Sequence, residues 1–250
     1  MTIRQLTTIA EMHAAAELFD AIWPPGAAGS LIQPEMLRAL TKAGNYLAGA
    51  FIDDKLVGAC LAFFGPPGSR SMHSHVAGVS TPAAGIGLAL KLDQREWALR
   101  HGVETISWTF DPLVGRNAYF NLTKLGATAA EYLTDFYGEM TDSVNRGFGS
   151  DRLLVSWNLT RPVDGSPLSL TEPVIALGRS ADGVPELGST DGDTLLIATP
   201  SDVESLRRTD PSLALAWRHA LREVLPPLIR DVVGFDRAGW YVVQRKGAGR

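Results

Sequence analysis

The chain has 250 residues, of which 45% are hydrophobic and 20% are charged, so it is long enough for one large domain, or one domain and a smaller one. Its formal net charge of −4 excludes a broad electrostatic attraction to nucleic acid or to an anionic membrane surface. A single cysteine excludes a disulfide framework. With no signal-peptide pattern and no apolar run of membrane-spanning length, we expect a cytoplasmic protein.

The first part of the chain predicts a strand, two helices and three further strands. Thr8 and Glu11 have the spacing of a helix capping box, and Pro24 and Pro25 end the helix that Thr8 begins. The predicted ranges are an edge strand at 2–7, helices at 8–22 and 34–40, and strands at 45–52, 56–64 and 70–79.

Residues 74–126 form the unit around which the prediction is organised. After the strand that ends at Val79 come a turn at 85–87, a helix at 88–101, a strand at 104–110, a helix that ends at 125–126, and strands at 128–140 and 151–159. Three antiparallel strands before one right-handed βαβ crossover predict a mixed sheet. We therefore expect an α/β fold of the mixed α+β kind, with a central mixed β-sheet flanked by helices.

The remainder of the chain predicts a linker and a small α+β region. Residues 161–190 lack periodicity and are rich in Pro, Gly, Ser and Asp, which indicates a linker with one short strand at 173–177. The elements after it are a strand at 194–199, a helix that Ser201 caps, a helix at 210–225 and a strand at 239–244. We predict a domain at 1–160, a linker at 161–190 and a small C-terminal α+β domain at 191–250.

The turn after Val79 is a candidate anion site. A helix N-terminus presents unpaired backbone N–H groups and a positive dipole end to a phosphate, and Gly85 and Gly87 allow a close approach. A tight strand-to-helix turn in a plain α/β core explains the same residues. The dinucleotide-binding fingerprint is excluded because Leu90 stands where it needs glycine, and no Gly-Lys-Ser/Thr follows as a P-loop requires.

Over about residues 1–160 the chain resembles the GNAT acyltransferases in the order of its elements. That order is strand, Gly-x-Gly, helix, strand, Asn-containing helix, Leu-Gly and strand. Segments that resemble a GNAT-like subfamily with a C-terminal extension lie at 97–100, 109–112, 116–121, 124–126, 136–140 and 150–153. The resemblance implies that acetyl-CoA or another acyl-CoA is the donor, and that an amine, or sometimes an alcohol, attacks the thioester directly. It also implies that two central parallel strands part around the pantetheine arm. The residues that it places against the cofactor are Val79 on that arm, Ala84, Gly85, Ile86, Gly87 and Leu88 on the pyrophosphate, and Asn117 beside it.

Two departures from the family pattern support an alternative. Pro82 stands where the pyrophosphate loop usually carries Arg or Gln, and the loop is shorter than usual. The tyrosine that often serves as general acid falls near Leu122, and Tyr119 lies one turn earlier without matching that position. The alternative is a GNAT-fold protein with lost or altered CoA use, either a binding or assembly protein or an enzyme of other chemistry such as decarboxylation.

His73 and His75 lie two residues apart on one predicted strand and therefore face the same side. A neutral imidazole at 73 could accept a proton from an ammonium acceptor, whereas a hydrogen-bonded histidine on a half-buried strand has the same pattern. No third ligand accompanies the pair at a suitable spacing, so we expect no metal site. Cys60 lies in an apolar run and is expected to be a small buried residue.

Asp111 ends a central strand, where it could orient a substrate amine or cap the turn that Pro112 begins. Tyr137 and Glu139 share a face of the predicted strand at 128–140. They are either acceptor-side groups or a core aromatic residue with a solvated neighbour.

Asp142, Asn145 and Arg146 lie in the next loop, which is either a lid over the acceptor or an ordinary surface loop. Arg218 and Arg222 lie one helical turn apart. They either hold a carboxylate of the acceptor or form a solvated helix face.

The sequence thus predicts an acyl-CoA-dependent N-acyltransferase that acts on a small-molecule amine. Catalysis would rest mainly on positioning, with His73 or a water-relayed carboxylate as base. The predicted catalytic residues are His73, Asp111, Tyr119, Tyr137 and Glu139. We expect no nucleic acid or membrane partner, and a homodimer would let the C-terminal domain pack on a partner's acetyltransferase domain.

Overall fold

The computed structural model describes residues 1–26, 29–80, 85–140, 147–162, 168 and 170–245. Within these ranges the chain divides into two compact units. The first unit contains Met1–Trp108 and Asn158–Arg161, and the second contains Thr109–Met140, Gly147–Trp157 and Pro162–Arg250. The predicted domain boundaries at 160 and 190 stay a prediction.

The order of elements in the first two thirds of the chain confirms the predicted order. The elements are β1 (Thr2–Gln5), α1 (Ile9–Ile22), α2 (Pro34–Lys42), β2 (Tyr46–Ile52), β3 (Lys55–Phe64), β4 (Ser71–Val79), α3 (Ile86–Arg100), β5 (Thr105–Phe110), α4 (Gly115–Ala118), a π-helix (Tyr119–Lys124), β6 (Thr128–Leu133) and β7 (Arg152–Asn158). They build a seven-stranded sheet in the order β1-β2-β3-β4-β5-β7-β6. Strands β1 to β4 pair antiparallel, whereas β4 and β5 pair parallel, so the sheet is mixed as predicted.

The first unit has an apolar core between α1, α2 and one face of the sheet. The side chain of Thr8 accepts the backbone N–H of Glu11, and the Glu11 carboxylate accepts that of Thr8, which confirms the capping box. Helix α1 buries Met12 and Phe19 against sheet residues such as Leu61. A helix of this length is only marginally stable alone in water, so α1 depends on the burial of this apolar face for its stability.

Strand β4 contains a bulge that decides which side chains face each side of the sheet. Leu61 pairs with Val76, but the next residue, Ala62, pairs with Ser74, so His75 is an extra residue on β4. Val76 joins the apolar core with α1, whereas Ser74 contacts α3 on the opposite face. Regular alternation would place both residues on one face.

The second unit includes a separate five-stranded sheet in the order β11-β12-β10-β8-β9. Its strands are β8 (Val174–Arg179), β9 (Pro185–Leu187), β10 (Thr194–Ala198), β11 (Val232–Phe235) and β12 (Trp240–Gln244), and its helices are α5 (Val203–Thr209), α6 (Pro211–Val224) and a 3₁₀-helix (Pro226–Asp231). The stretch predicted as a linker with one strand therefore holds two strands, and β11 was missed. No described helix is both long and apolar enough to cross a membrane.

Two local predictions were wrong. The predicted strand at 128–140 ends at Leu133, because Asp135 and Gly138 have positive φ angles of 46° and 67°, which a strand does not allow. Asp202, not Ser201, caps α5, since its carboxylate accepts the backbone N–H of Ser205 at 2.9 Å.

Gly188 follows edge strand β9, and its substitution tests the second sheet. A Cβ atom there would lie 2.1 Å from the backbone oxygen of Ile175, which cannot move without disturbing β8. We expect Gly188→Ala to lower the free energy of unfolding by about 1–3 kcal/mol in urea titrations. The exposed neighbour Glu186 provides the control, and equal stability of Gly188→Ala and Glu186→Ala would contradict this packing.

Candidate functional site

The candidate site begins where the parallel strands β4 and β5 part. Within the described chain, their backbone pairing consists of Ser71 with Thr105, Met72 with Ile106, and His73 with Ser107, and it ends there. Strand β4 nevertheless continues to Val79. The later backbone groups of β4 on this side are therefore not used by β5 and can bind an extended group.

The turn after β4 ends in a glycine that begins α3. Gly85 is the N-cap of α3 and has a φ of 97°, a left-handed conformation that glycine adopts without strain. Apart from the chain neighbours of each glycine and the backbone of the helix itself, no described atom lies within 4 Å of a Cβ built on Gly85, and the nearest to one built on Gly87 is Val79 Cγ2 at 4.0 Å. The first N–H groups of α3 are thus approachable, and Ile86 is the buried member of this turn.

The structure describes most of the predicted cofactor residues. Val79, Gly85, Ile86, Gly87 and Leu88 belong to the end of β4 and the start of α3 in the first unit. Asn117 lies in α4 in the second unit, and its backbone N–H donates to the Val114 oxygen. Ala84 and Pro82 lie outside the described residues. The roles of all these residues stay predictions.

His73 and His75 lie close together beside Phe63. The two imidazole centroids are 6.3 Å apart, and they lie 5.3 and 5.9 Å from the Phe63 ring. Burial, then the neighbouring His75, then Lys91 lower the pKa of His73, and burial lowers the pKa of His75. Both imidazoles are therefore neutral at pH 7 and can accept a proton.

A buried polar cluster that sequence analysis missed lies between the sheet and α3. Its centre is the ammonium group of Lys91, which is 4% exposed and donates to Ser74 Oγ at 3.0 Å and to Gln94 Oε1 at 2.7 Å. The same nitrogen lies 3.9 Å from the centre of the Trp108 ring, a cation–π contact. Among the described residues, no carboxylate forms an ion pair with it. The only signal in the sequence is helical spacing, which puts Gln94 on the same face as Leu90.

Cys60 completes this Lys91 cluster. Its sulfur accepts a hydrogen bond from Gln94 Nε2 at 3.1 Å and lies 3.8 Å from Ser74 Oγ. The residue is fully buried, as expected, and burial raises the pKa of its thiol. Burial likewise lowers the pKa of Lys91 from its ordinary 10.5 to about 8.

Asp111, in the second unit, is bound by cations of the same chain. Its Oδ1 accepts hydrogen bonds from Arg218 Nη1 at 2.9 Å and from the backbone N–H of Leu113 at 3.0 Å. Its Oδ2 accepts hydrogen bonds from Arg218 Nη2 at 2.7 Å and from Arg207 Nη2. Burial alone would raise the pKa of Asp111, but Arg218 and then Arg207 hold it well below its usual range. Four donors fill the acceptor positions of a carboxylate. These contacts support the turn-capping interpretation of Asp111.

The other predicted groups of the second unit have separate surroundings. The hydroxyl of Tyr119 accepts a hydrogen bond from Arg237 Nε at 3.0 Å. The hydroxyls of Tyr137 and Thr109 lie 3.1 Å apart. Tyr137 and Glu139 follow β6 in a turn and are exposed, not on a strand as predicted. Leu122 is buried.

Of the two alternatives for Arg218 and Arg222, the solvated helix face is wrong for Arg218, which is 1% exposed. Arg222 donates to both oxygens of Asp151. The two arginines therefore hold carboxylates of the chain itself. Asp142, Asn145 and Arg146 lie outside the described residues. Where the structure describes the chain, no three His, Cys, Asp or Glu side chains could hold a metal ion.

Comparison with solved structures identifies the fold as that of the GNAT acetyltransferases. The chain is similar to a ribosomal-protein-alanine N-acetyltransferase from Brucella melitensis, with 18% identity and a TM-score of 0.51 over 63% of this chain and 99% of that chain. It is similar to an acetyltransferase of the GNAT family from Streptococcus pneumoniae, with 12% identity and a TM-score of 0.51 over 63% and 98%.

An aminoglycoside 6'-acetyltransferase type Ii matches with 18% identity and a TM-score of 0.51 over 65% of this chain and 100% of that chain. No family model matches the chain, and no curated protein matches it. At these identities the likeness shows the fold, and it confirms the resemblance at that level.

Removing the negative charge of Asp111 tests the buried ion pairs. We expect Asp111→Asn to lower the free energy of unfolding by about 3–5 kcal/mol at pH 7, because it removes the negative charge that two buried arginines share. The exposed pair of Arg116 with Glu204 is the control, and Glu204→Gln should cost less than about 1 kcal/mol. Because the folded pKa of Asp111 lies below the unfolded value, its stabilisation is lost as pH falls below about 4. Equal acid sensitivity of wild type and Asp111→Asn in chemical denaturation would contradict this account.

Removing the amine of Lys91 tests the buried cluster. Its folded pKa lies below its unfolded value, so the unfolded state binds more protons between pH 8 and 10 and stability rises with pH in that window. We expect the difference in unfolding free energy, wild type minus Lys91→Met, to rise there by up to about 3 kcal/mol. Cys60, whose thiol pKa is raised by burial, makes stability fall with pH, but it does so equally in both proteins. Lys42→Met, at an exposed site, is the control and should show no such rise. A flat difference for Lys91→Met would show that Lys91 is not buried as a cation.

Proposed function

We propose that this chain is an acyl-CoA-dependent N-acyltransferase that transfers an acetyl group to a small-molecule amine. The observation that carries the proposal is the parting of β4 and β5 after three residue pairs, next to a helix that begins at Gly85. The free side of β4 offers backbone donors and acceptors to the pantetheine amides. The start of α3 offers N–H groups and a positive dipole end to the pyrophosphate.

His73 is the proposed base. It forms the last pair with β5, and its lowered pKa keeps the imidazole neutral at pH 7. In the proposed reaction the amine nitrogen forms a bond to the thioester carbon, the carbon–sulfur bond breaks, and His73 accepts the proton that the amine loses. Positioning of the two reactants supplies most of the rate enhancement, since the acceptor attacks without a covalent enzyme intermediate.

One observation favours a second candidate, a GNAT-fold protein that has lost or altered its use of CoA. Leu122 is 5% exposed, so the position where the family carries an acid-catalyst tyrosine holds a core residue. A protein of this kind would be a binding or assembly protein or an enzyme of other chemistry. The cytoplasmic location and the homodimer stay predictions.

Calorimetric titration with acetyl-CoA, with CoA as a second ligand, tests the proposal. We expect micromolar binding of both and a loss of about tenfold or more in affinity for Gly87→Asp, because the new carboxylate repels the pyrophosphate. The space around Gly87 lets Asp fit without a clash. Leu92→Asp adds the same charge to an exposed position of α3 and is the matched control.

The outcome decides between the two candidates. Binding that Gly87→Asp weakens and Leu92→Asp does not weaken supports the acyltransferase and justifies a screen of amines for release of CoA. No binding at millimolar ligand would contradict the acyltransferase proposal and favour the second candidate.

A further inference from the structure

Lys91 is an unusual residue for the core of a protein. An ammonium group is costly to bury, and an apolar side chain of the same length would fill the same space more cheaply. In the described chain its contacts are a hydroxyl, an amide oxygen and an indole face, and none of them carries a negative charge. A buried titratable group that the surroundings do not neutralise is a candidate for chemistry.

The position of Lys91 points to the place where that chemistry occurs. Ser74 is the first residue of β4 after the last pair with β5, and Trp108 is the first residue of β5 after it. The Lys91 nitrogen contacts both side chains. It therefore lies at the point where the two strands part, which is where the proposed function puts the thioester end of the acyl-CoA.

We propose that Lys91 supplies, through the Ser74 hydroxyl, the proton that the departing CoA thiolate accepts. Ser74 is the group that contacts the sulfur, and Lys91 is the positioning residue behind it. The inference rests on the proposed function. It assigns the acid role to two residues of the first unit, in place of the hydroxyl that Leu122 cannot provide.

The proton transfers balance. As the carbon–sulfur bond breaks, its electron pair moves to sulfur, the Ser74 hydroxyl proton moves to that sulfur, and a Lys91 ammonium proton moves to the Ser74 oxygen. Lys91 is left as a neutral amine. His73 holds the proton lost by the acceptor amine and returns it through water to Lys91, so that both residues end as they began.

The electrostatic surroundings suit this role. The groups around Lys91 are Cys60 on β3, Ser74 on β4, Gln94 on its own helix and Trp108 on β5, and the charge of Lys91 also lowers the pKa of His73 on β4. Asp93 on α3 accepts the hydroxyl of Tyr46 and forms no ion pair with Lys91. Burial brings the pKa of Lys91 to about 8, close to the roughly 8.5 of an ordinary thiol, so the proton can pass either way at little cost.

Titration of the Lys91 side chain by NMR tests the inference without an acceptor. In lysine-labelled protein, the signal that Lys91→Met removes should titrate near pH 8. Saturating CoA should raise that midpoint by about one pH unit or more, because a thiolate then lies beside the ammonium. Desulfo-CoA, which lacks only the sulfur, should bind and leave the midpoint unchanged. Ser74→Ala should abolish the response to CoA without preventing its binding.

The outcomes separate this inference from the proposed function. If calorimetry shows that CoA binds but CoA and desulfo-CoA give the same Lys91 midpoint, the proton relay is wrong and the acyltransferase proposal stands. If neither ligand binds, both are wrong. A midpoint that moves with CoA alone supports the relay.

Kinetics provide a second readout once an amine substrate is found. Lys91→Met and Ser74→Ala should each lower kcat by about 100-fold with KM for acetyl-CoA unchanged, whereas Lys42→Met should change neither. Wild-type kcat should fall above about pH 8 as Lys91 loses its proton, and Lys91→Met should lack that fall. An unchanged pH profile in Lys91→Met would limit Lys91 to a structural role.

Discussion

The backbone pairing between β4 and β5 is the constraint on which the candidate site depends. Parallel strands with a crossover helix between them are normally paired along their length, yet in the part of the chain that the structure describes these two share three residue pairs. Once the strands part, every polar group at that point needs another partner, since a buried group without one costs free energy. Ser74, Gln94 and the Lys91 ammonium meet this need for one another. The pairing thus ends beside the polar side chains that lie under α3.

The bulge at His75 determines which residues this site contains. One extra residue on β4 turns Ser74 toward α3, whereas Val76 lies in the core with α1. His73 and His75 both lie beside Phe63. The proposed proton acceptor, His73, and the proposed proton donor, Ser74, are neighbouring residues of one strand. Both residues are held by β4, so the distance between them does not depend on the position of a loop.

The sequence allowed the architecture to be predicted because period and capping signals are local. The capping box at Thr8 predicted the start of α1, and the strands predicted at 45–52, 56–64 and 70–79 are the β2 to β4 that the structure confirms. The prediction from apolar spacing extended β6 too far, because the positive φ angles at Asp135 and Gly138 that follow the strand leave no pattern in that spacing. Distant partners left no signal at all. Asp111 binds Arg207 and Arg218, which are 96 and 107 residues away along the chain.

Lys91 in the first unit and Asp111 in the second are both buried charged groups, and they differ in a way that separates structure from chemistry. Asp111 accepts two arginines and a backbone N–H, and its pKa is lowered away from the range in which enzymes work. A charge paired so completely fixes local structure and does not exchange protons near neutral pH. The described partners of Lys91 are neutral, and its pKa is moved toward that range. Core packing alone gives no reason for an unneutralised amine at this point, whereas the proposed protonation of a thiolate does.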